Sequence, residues 1–154
     1  MNVFGMMDMT GSALTAERVR AEVVASNMAN AETTRTATGG PYQRQHVVFQ
    51  ESGGGFAEQM QQHGFGGALN GIAGGTSVPG GVEISGIVTD NSAPLERYEP
   101  GHPDADANGF VAYPDINPLT EMVDLMGATR AYGMNASALQ AEKSMMSASL
   151  DILK

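Results

Sequence analysis

The sequence predicts an α+β protein: long N- and C-terminal helices with a small β-rich domain inserted between them. Three observations carry this expectation. Ten of the eleven methionines lie in the two ends of the chain, with only Met60 between. All seven prolines fall from Pro41 to Pro118, and eleven of the twenty glycines fall from Gly53 to Gly81. Apolar and small residues in the ends recur at helical spacing. Proline-free segments rich in Met and Ala favour helix, whereas a Pro- and Gly-punctuated middle with short apolar alternations favours strands and turns. The expected division is residues 1–34, 35–117 and 118–154.

The first helix is expected from about Val3 to Asn30. Val3, Met7, Gly11, Leu14, Ala21, Ala25 and Met28 fall on one helical face. Met6, Met9, Ala13, Ala16, Val19 and Val23 form a flanking stripe. An apolar surface this wide suits contact with more than one neighbouring helix.

At the exit, SNMANAETTRT, Asn27 and Asn30 are expected to end the helix. Asn tolerates the left-handed conformation and binds nearby backbone. Thr33 and Thr34 then turn the chain. The segment reads either as an ordinary C-cap or as a joint that sets the angle between helix and β unit, with Asn27, Asn30 and Thr33 as its residues.

In the middle, the apolar run Val47–Phe49 reads as a strand. Two more strands follow in SVPGGVEISGIVTDNSAPLERYEP, with a bulge expected at Gly86. Phe110 to Tyr113 reads as a short last strand. Residues 53–81 form a long glycine-rich insertion, and loops of that length are functional or flexible.

The second helix is expected from Pro118 or Leu119 to Leu153. Pro118 suits the first turn, where a missing N–H is harmless. Ala131, Met134, Ala138, Ala141, Met145, Ala148 and Ile152 follow alternating steps of three and four, a heptad-like seam. Leu125, Ala128, Tyr132, Leu139, Met146 and Leu153 fill an adjacent stripe. At about 1.5 Å per residue such a helix is on the order of 50 Å long. Small residues on the seams permit close approach, and Met adapts to imperfectly equivalent neighbours. The seams read either as an ordinary helical hairpin packed on its own domain or, more sharply, as assembly surface between chains, and on the second reading the isolated chain is expected to have poorly ordered ends.

Composition narrows the chemistry. The chain has 154 residues, a net charge of -9 and no cysteine. The absence of cysteine excludes a disulfide framework, a thiolate metal site and a Cys nucleophile. Residues 1–39 and 118–154 each carry -1, and residues 40–117 carry -7. That balance disfavours a nucleic-acid partner. No apolar run reaches the length of a membrane helix. MNVFGMMDMTGSA lacks the basic and apolar regions of a cleaved signal.

Gly64, Gly66 and Gly67 match no phosphate-binding pattern, and no GxSxG elbow occurs. Neither His46 nor His63 has a recognisable partner in the sequence. His102, Asp104 and Asp106 in GHPDADANG could hold a metal. The residue types favour a turn instead, with Pro103 fixing φ, Asp104 and Asp106 forming Asx turns and Asn108-Gly109 reversing the chain. No cofactor, catalytic residue or small-molecule substrate is expected. The alternatives are a small metal-dependent enzyme using His102, Asp104 and Asp106, or a type III secretion chaperone or translocator.

SALTAERVRAEVVASNMANAETTRT, with its Asn-rich ANxxT-like exit, resembles the N-terminal signature of bacterial flagellar axial proteins. GGPYQRQHVVFQ, YEPGHPDADANGFVAYPDIN and EMVDLMGATRAYGMNASALQAEKSMMSASLDIL are similar to the flagella basal body rod protein family in order and spacing. Residues 53–81 depart from it, being longer and richer in glycine.

The resemblance implies a structural subunit of the proximal rod. Its terminal helices would pack as a coiled coil in an inner tube, with the β unit outside. It also implies export through the flagellar type III apparatus, a rod spanning the periplasm, and assembly with copies of itself. The other implied partners are proximal and distal rod subunits and the basal-body adaptor protein.

Overall fold

The computed structural model describes residues 3–37, 39–52 and 80–152. Six elements follow in chain order. They are α1 (Val3–Ala29), β1 (Gln45–Glu51), β2 (Val82–Thr89), β3 (Leu95–Tyr98), β4 (Phe110–Tyr113) and α2 (Pro118–Ile152). The α+β class and both long helices agree with the sequence reading. Most of the glycine-rich insertion, residues 53–79, lies outside the described residues.

Local chemistry sets the helix boundaries. Asn117 caps α2: its Oδ1 accepts the Leu119 N–H at 3.0 Å and its carbonyl accepts the Glu121 N–H at 3.1 Å. Pro118 then occupies the first turn as expected. At the end of α1, the Ser26 carbonyl accepts both the Asn30 N–H at 3.0 Å and Asn30 Nδ2 at 2.9 Å. Thr33 returns its N–H to the Asn30 carbonyl and its hydroxyl to Asn30 Oδ1. No described non-glycine residue has a positive φ, so the left-handed exit expected of Asn is not used. Side-chain bonds end this helix instead, and Asn27 lies within its last turn rather than beyond it.

The strands form two separate two-stranded sheets, β1 with β2 and β3 with β4. The Ser52 N–H bonds the Gly81 carbonyl at one end of the first, and the Asp90 N–H bonds the Arg44 carbonyl at the other. Arg44 to Ser52 is eight residue steps, and Gly81 to Asp90 is nine. One extra residue on the β2 side is the count a bulge produces.

The β3–β4 pair is antiparallel, with Leu95 opposite Tyr113 and Tyr98 opposite Phe110. Side chains alternate across it. Val111 is buried on one face, while on the other Tyr98 and Phe110 meet edge to face at 5.3 Å. Arg97 lies over the Tyr113 ring, 4.5 Å from its centre. Gly109, with φ of 82°, closes the turn between them.

Contacts divide the chain into two compact units, each drawing on both helices and on the β1–β2 ribbon. One comprises Met1–Ala16, Phe49–Ser85 and Tyr132–Lys154. In it Ala16 and Glu142 are buried, and the Thr10 hydroxyl lies 3.2 Å from Glu142 Oε2. Ser12 Oγ accepts the Val82 N–H at 3.0 Å, fastening the start of β2 to α1.

The other unit comprises Glu17–Val48 and Gly86–Ala131. Its buried residues include Val23, Val24, Asn27, Val111, Ile116, Glu121 and Ala128. Among the described residues no helix is long and apolar enough to cross a membrane.

Candidate functional site

The most developed polar structure among the described residues is a buried network at the exit of α1, within the second unit. Asn27 is 1% exposed and uses both ends of its carboxamide. Its Oδ1 accepts the Gln45 N–H at 2.9 Å and the Tyr42 hydroxyl at 3.1 Å. Its Nδ2 donates to the Gln45 carbonyl at 2.8 Å and to Glu121 Oε2 at 3.2 Å. The side chain thus pairs with the first residue of β1 as a neighbouring strand would. That requires a group that both donates and accepts, which Asp or Leu cannot supply.

Glu121, also 1% exposed, takes the Arg44 Nε at 2.7 Å and lies in an ion pair with the same guanidinium. Arg44 reaches Asp124 at 3.7 Å, and Arg20 reaches Asp124 at 3.9 Å. Helix α1, the 42–45 segment and the first turns of α2 are therefore tied through one connected set of charges and amides. Removing water around these groups strengthens each bond and makes any unpaired member expensive. The arrangement positions and stiffens.

Of the three joint residues expected from the sequence, Asn27 is the hub, while Asn30 and Thr33 bond one another beside it. The Thr33 carbonyl also accepts the Tyr42 N–H at 3.0 Å. Sequence reasoning missed Arg44, Glu121 and Asp124. Each is a single charge whose partner is remote in the chain, and such a charge gives no local signal. The one hint was an acid, Glu121, just after the Pro118 helix start, which reads equally as a first-turn dipole partner.

The helix seams are placed as follows. In α1, Met7, Gly11, Leu14, Ala21, Ala25 and Met28 are half-buried, whereas the flanking stripe supplies buried Ala16 and Val23. In α2, Ala131 is half-buried, and Met134, Ala138, Ala141, Met145 and Ala148 are exposed, Met134 at 68%. Buried Ala128 and half-buried Leu125, Leu139 and Met146 belong to the adjacent stripe. The side chains of Val3 and Ile152 lie outside the described set.

The metal alternative does not survive the geometry. Among the described residues no group of three His, Asp or Glu side chains could hold a metal ion. Each proposed ligand is already engaged in turn chemistry. His102 Nδ1 accepts the Asp104 N–H at 3.1 Å. Asp104 accepts the Thr34 hydroxyl at 2.8 Å and lies 3.5 Å from Arg35, tying the turn to the segment after α1. Asp106 Oδ1 accepts the N–H groups of Phe110 and Asn108, both at 2.8 Å.

The Phe110 N–H, joined by that of Asn108, holds the Asp106 carboxyl below its ordinary value of 3.8. A depressed folded-state pKa adds stability above the unfolded value, and that contribution is lost as pH falls through the folded value. The 106–110 turn should therefore loosen below about pH 4. Protection of the Asn108 and Phe110 amides, taken relative to the intrinsic exchange rate at each pH, should fall there in the parent chain, and at neutral pH in Asp106→Ala. Equal protection in both chains at both pH values would dismiss this role.

Two long helices flank an inserted β unit, the order that the sequence's resemblance to flagellar axial proteins leads one to expect. The comparisons agree. Residues 7–35 match the family described as "Flagella basal body rod protein", and residues 107–152 match "Flagellar basal body rod FlgEFG protein C-terminal".

Among curated relatives, the flagellar basal-body rod protein FlgC of Bacillus subtilis (strain 168) is 40% identical over 100% of both chains. FlgC of Borreliella burgdorferi is 34% identical over 100% of this chain and 99% of its own. FlgC of Salmonella typhimurium (strain LT2) is 36% identical over 95% of this chain and 94% of its own. The chain belongs to the FlgC family of flagellar basal-body rod proteins.

Proposed function

We propose that this chain is a structural subunit of the proximal rod of the bacterial flagellar basal body and passes torque from motor to hook and filament. Family membership over the full chain is the single observation that carries this reading. The physical features are in keeping with it. The α2 seam Met134, Ala138, Ala141, Met145 and Ala148 lies open to solvent in the single chain. Apolar surface left open along a helix is surface for a neighbour, and head-to-tail contacts repeated between copies generate a helical shaft.

In this reading residues 1–34 and 118–154 form the inner coiled-coil tube and residues 35–117 the outer β unit. The Asn27–Glu121–Arg44 network holds the angle between them while load passes through. The subunit reaches a rod spanning the periplasm through the flagellar type III export apparatus, without a cleaved signal peptide. It assembles there with copies of itself and with other rod proteins. It has no reaction to catalyse and no cofactor to hold.

Electron microscopy of basal bodies isolated from cells carrying a labelled chain tests the assignment. Label in the rod is expected, and rods complete without this chain would overturn it. Hydrogen exchange tests the physical half. In a verified monomer, amides across residues 134–151 should exchange freely, because helix this sparsely packed has little to hold it closed. They should become protected in purified rods. Strong protection in the monomer would sink the idea that these seams await neighbours.

A further inference from the structure

The helices hold four glycines that the chain's own packing does not explain. At Gly5, Gly11, Gly127 and Gly133 an added Cβ would meet nothing within 4 Å. Each lies inside a helix, where glycine costs about 1 kcal/mol relative to alanine. None has the positive φ that would require glycine.

Their placement is paired. Gly5 and Gly11 stand three residues either side of Asp8, and Gly127 and Gly133 stand three residues either side of Arg130. Residues three apart share a helix face, so each charge has a glycine on the turn before it and on the turn after it, with Met126 and Met134 beside those of Arg130. Asp8 and Arg130 are both exposed, and neither takes part in an ion pair or hydrogen bond among the described residues.

Arg130 also ends an apolar face. Leu119, Met122, Val123 and Met126 precede it at helical spacing, between 52% and 70% exposed. The acids nearest that face, Glu121 and Asp124, are engaged by Arg44. One helix thus presents large apolar side chains leading to an unpaired cation. The other presents an unpaired anion among glycines, with exposed Thr15 two turns on.

We propose that Asp8 of one copy pairs with Arg130 of a second copy, across a contact in which the flanking glycines let the two helix backbones close over the ion pair. This deepens the rod assignment and rests on it. The occupant is a second copy because the complementary charges, each flanked by glycines, are carried by the same chain. Residues 1–39 and 118–154 carry only -1 each, against -7 in residues 40–117, so two copies can approach helix to helix with little repulsion. An exposed pair in water contributes little, but a pair covered by close-packed backbone selects its partner and its register. When the Arg130 of the first copy is left for the Asp8 of a third, the contact runs head to tail and repeats, as a shaft requires.

The chain has no cysteine, so introduced thiols have no background. Asp8→Cys and Arg130→Cys are expressed together, on separate copies, in a flagellated strain lacking its own copy of the chain. Basal bodies are then isolated after mild oxidation. A disulfide-linked species of twice the 16.0 kDa chain mass is expected only when both variants are present. In a second arm, Asp8→Arg and Arg130→Asp should each curtail rod assembly and swarming, and the two combined in one chain should restore both.

Rods that contain both cysteine variants yet yield no such species overturn the pairing and leave the rod assignment standing. So does a double charge swap no better than the worse single, and this arm decides if a cysteine variant fails to enter rods. A product in which the Asp8→Cys or the Arg130→Cys chain is linked only to another rod protein also overturns it. Basal bodies that lack the parent chain altogether would end the rod assignment and the pairing together.

Discussion

Replacing Glu121 with Ala should destabilise the isolated chain by about 3–5 kcal/mol, the range seen when one member of a buried ion pair is removed. The side chain is 1% exposed and is the acceptor for two different donors, Arg44 and Asn27. Its loss leaves the Arg44 guanidinium with only Asp124 at 3.7 Å, and leaves one proton of the Asn27 amide without an acceptor. Those are desolvated groups, so the effect exceeds the net value of the bonds themselves.

Urea unfolding followed by far-ultraviolet circular dichroism measures it, as a drop in midpoint at unchanged slope. Glu121→Gln is the informative companion: it keeps one acceptor oxygen, for Arg44 or for Asn27 but not for both, and removes the charge, so its loss should fall between parent and Ala. An Ala variant within about 1 kcal/mol of the parent would mean that solvent replaces the carboxylate, and the network would lose its structural role.

Replacing Asn27 with Ala should cost about 2–4 kcal/mol, since it strips partners from both the N–H and the carbonyl of Gln45 and from the Tyr42 hydroxyl. Asn27→Asp should be at least as damaging. It cannot donate to the Gln45 carbonyl, and it sets a second acid 3.2 Å from Glu121, where the amide now donates. The same urea experiment reports both variants.

A double-mutant cycle between Asn27→Ala and Glu121→Ala then separates hub from spoke. Groups in one network couple, so the double variant should lose less than the sum of the singles. Strict additivity would show that the two side chains act independently despite their contact. Swarming of cells carrying Asn27→Ala gives the functional counterpart. Weak swarming with normal export would fit a joint that holds its angle poorly under load.

The residue pattern alone located both long helices to within a residue or two. Proline-free runs rich in Met and Ala, with Asn117-Pro118 at one start, leave the backbone few alternatives. Helix is settled by interactions between residues three or four apart. The turn into the Phe110–Tyr113 strand was legible for the same reason, because Asp106, Asn108 and Gly109 form a turn whose bonds are all local, whereas the pairing of that strand with Leu95–Tyr98 was not. Even the metal-like cluster at His102, Asp104 and Asp106 was correctly weighted toward a turn by the turn-forming residues around it.

Which stripe of each helix the chain buries for itself was not legible. Both stripes of α2 are apolar and periodic, and only the folded chain shows Ala128 fully buried while Met134 is 68% exposed.

The sequence by itself determined the class of the protein, its helices, its turn at 106–110 and its kinship with flagellar rod proteins. All of these rest on short-range chemistry or on whole-chain similarity. Only the tertiary structure decided that Asn27 is the centre of a buried network, that Arg44 and Glu121 are its charged members, and which helix faces remain open. The physical reason is distance along the chain. Arg44 and Glu121 lie 77 residues apart, and Asn27 and Glu121 lie 94 apart. Nothing local to any of the three records which partner folding will bring to it.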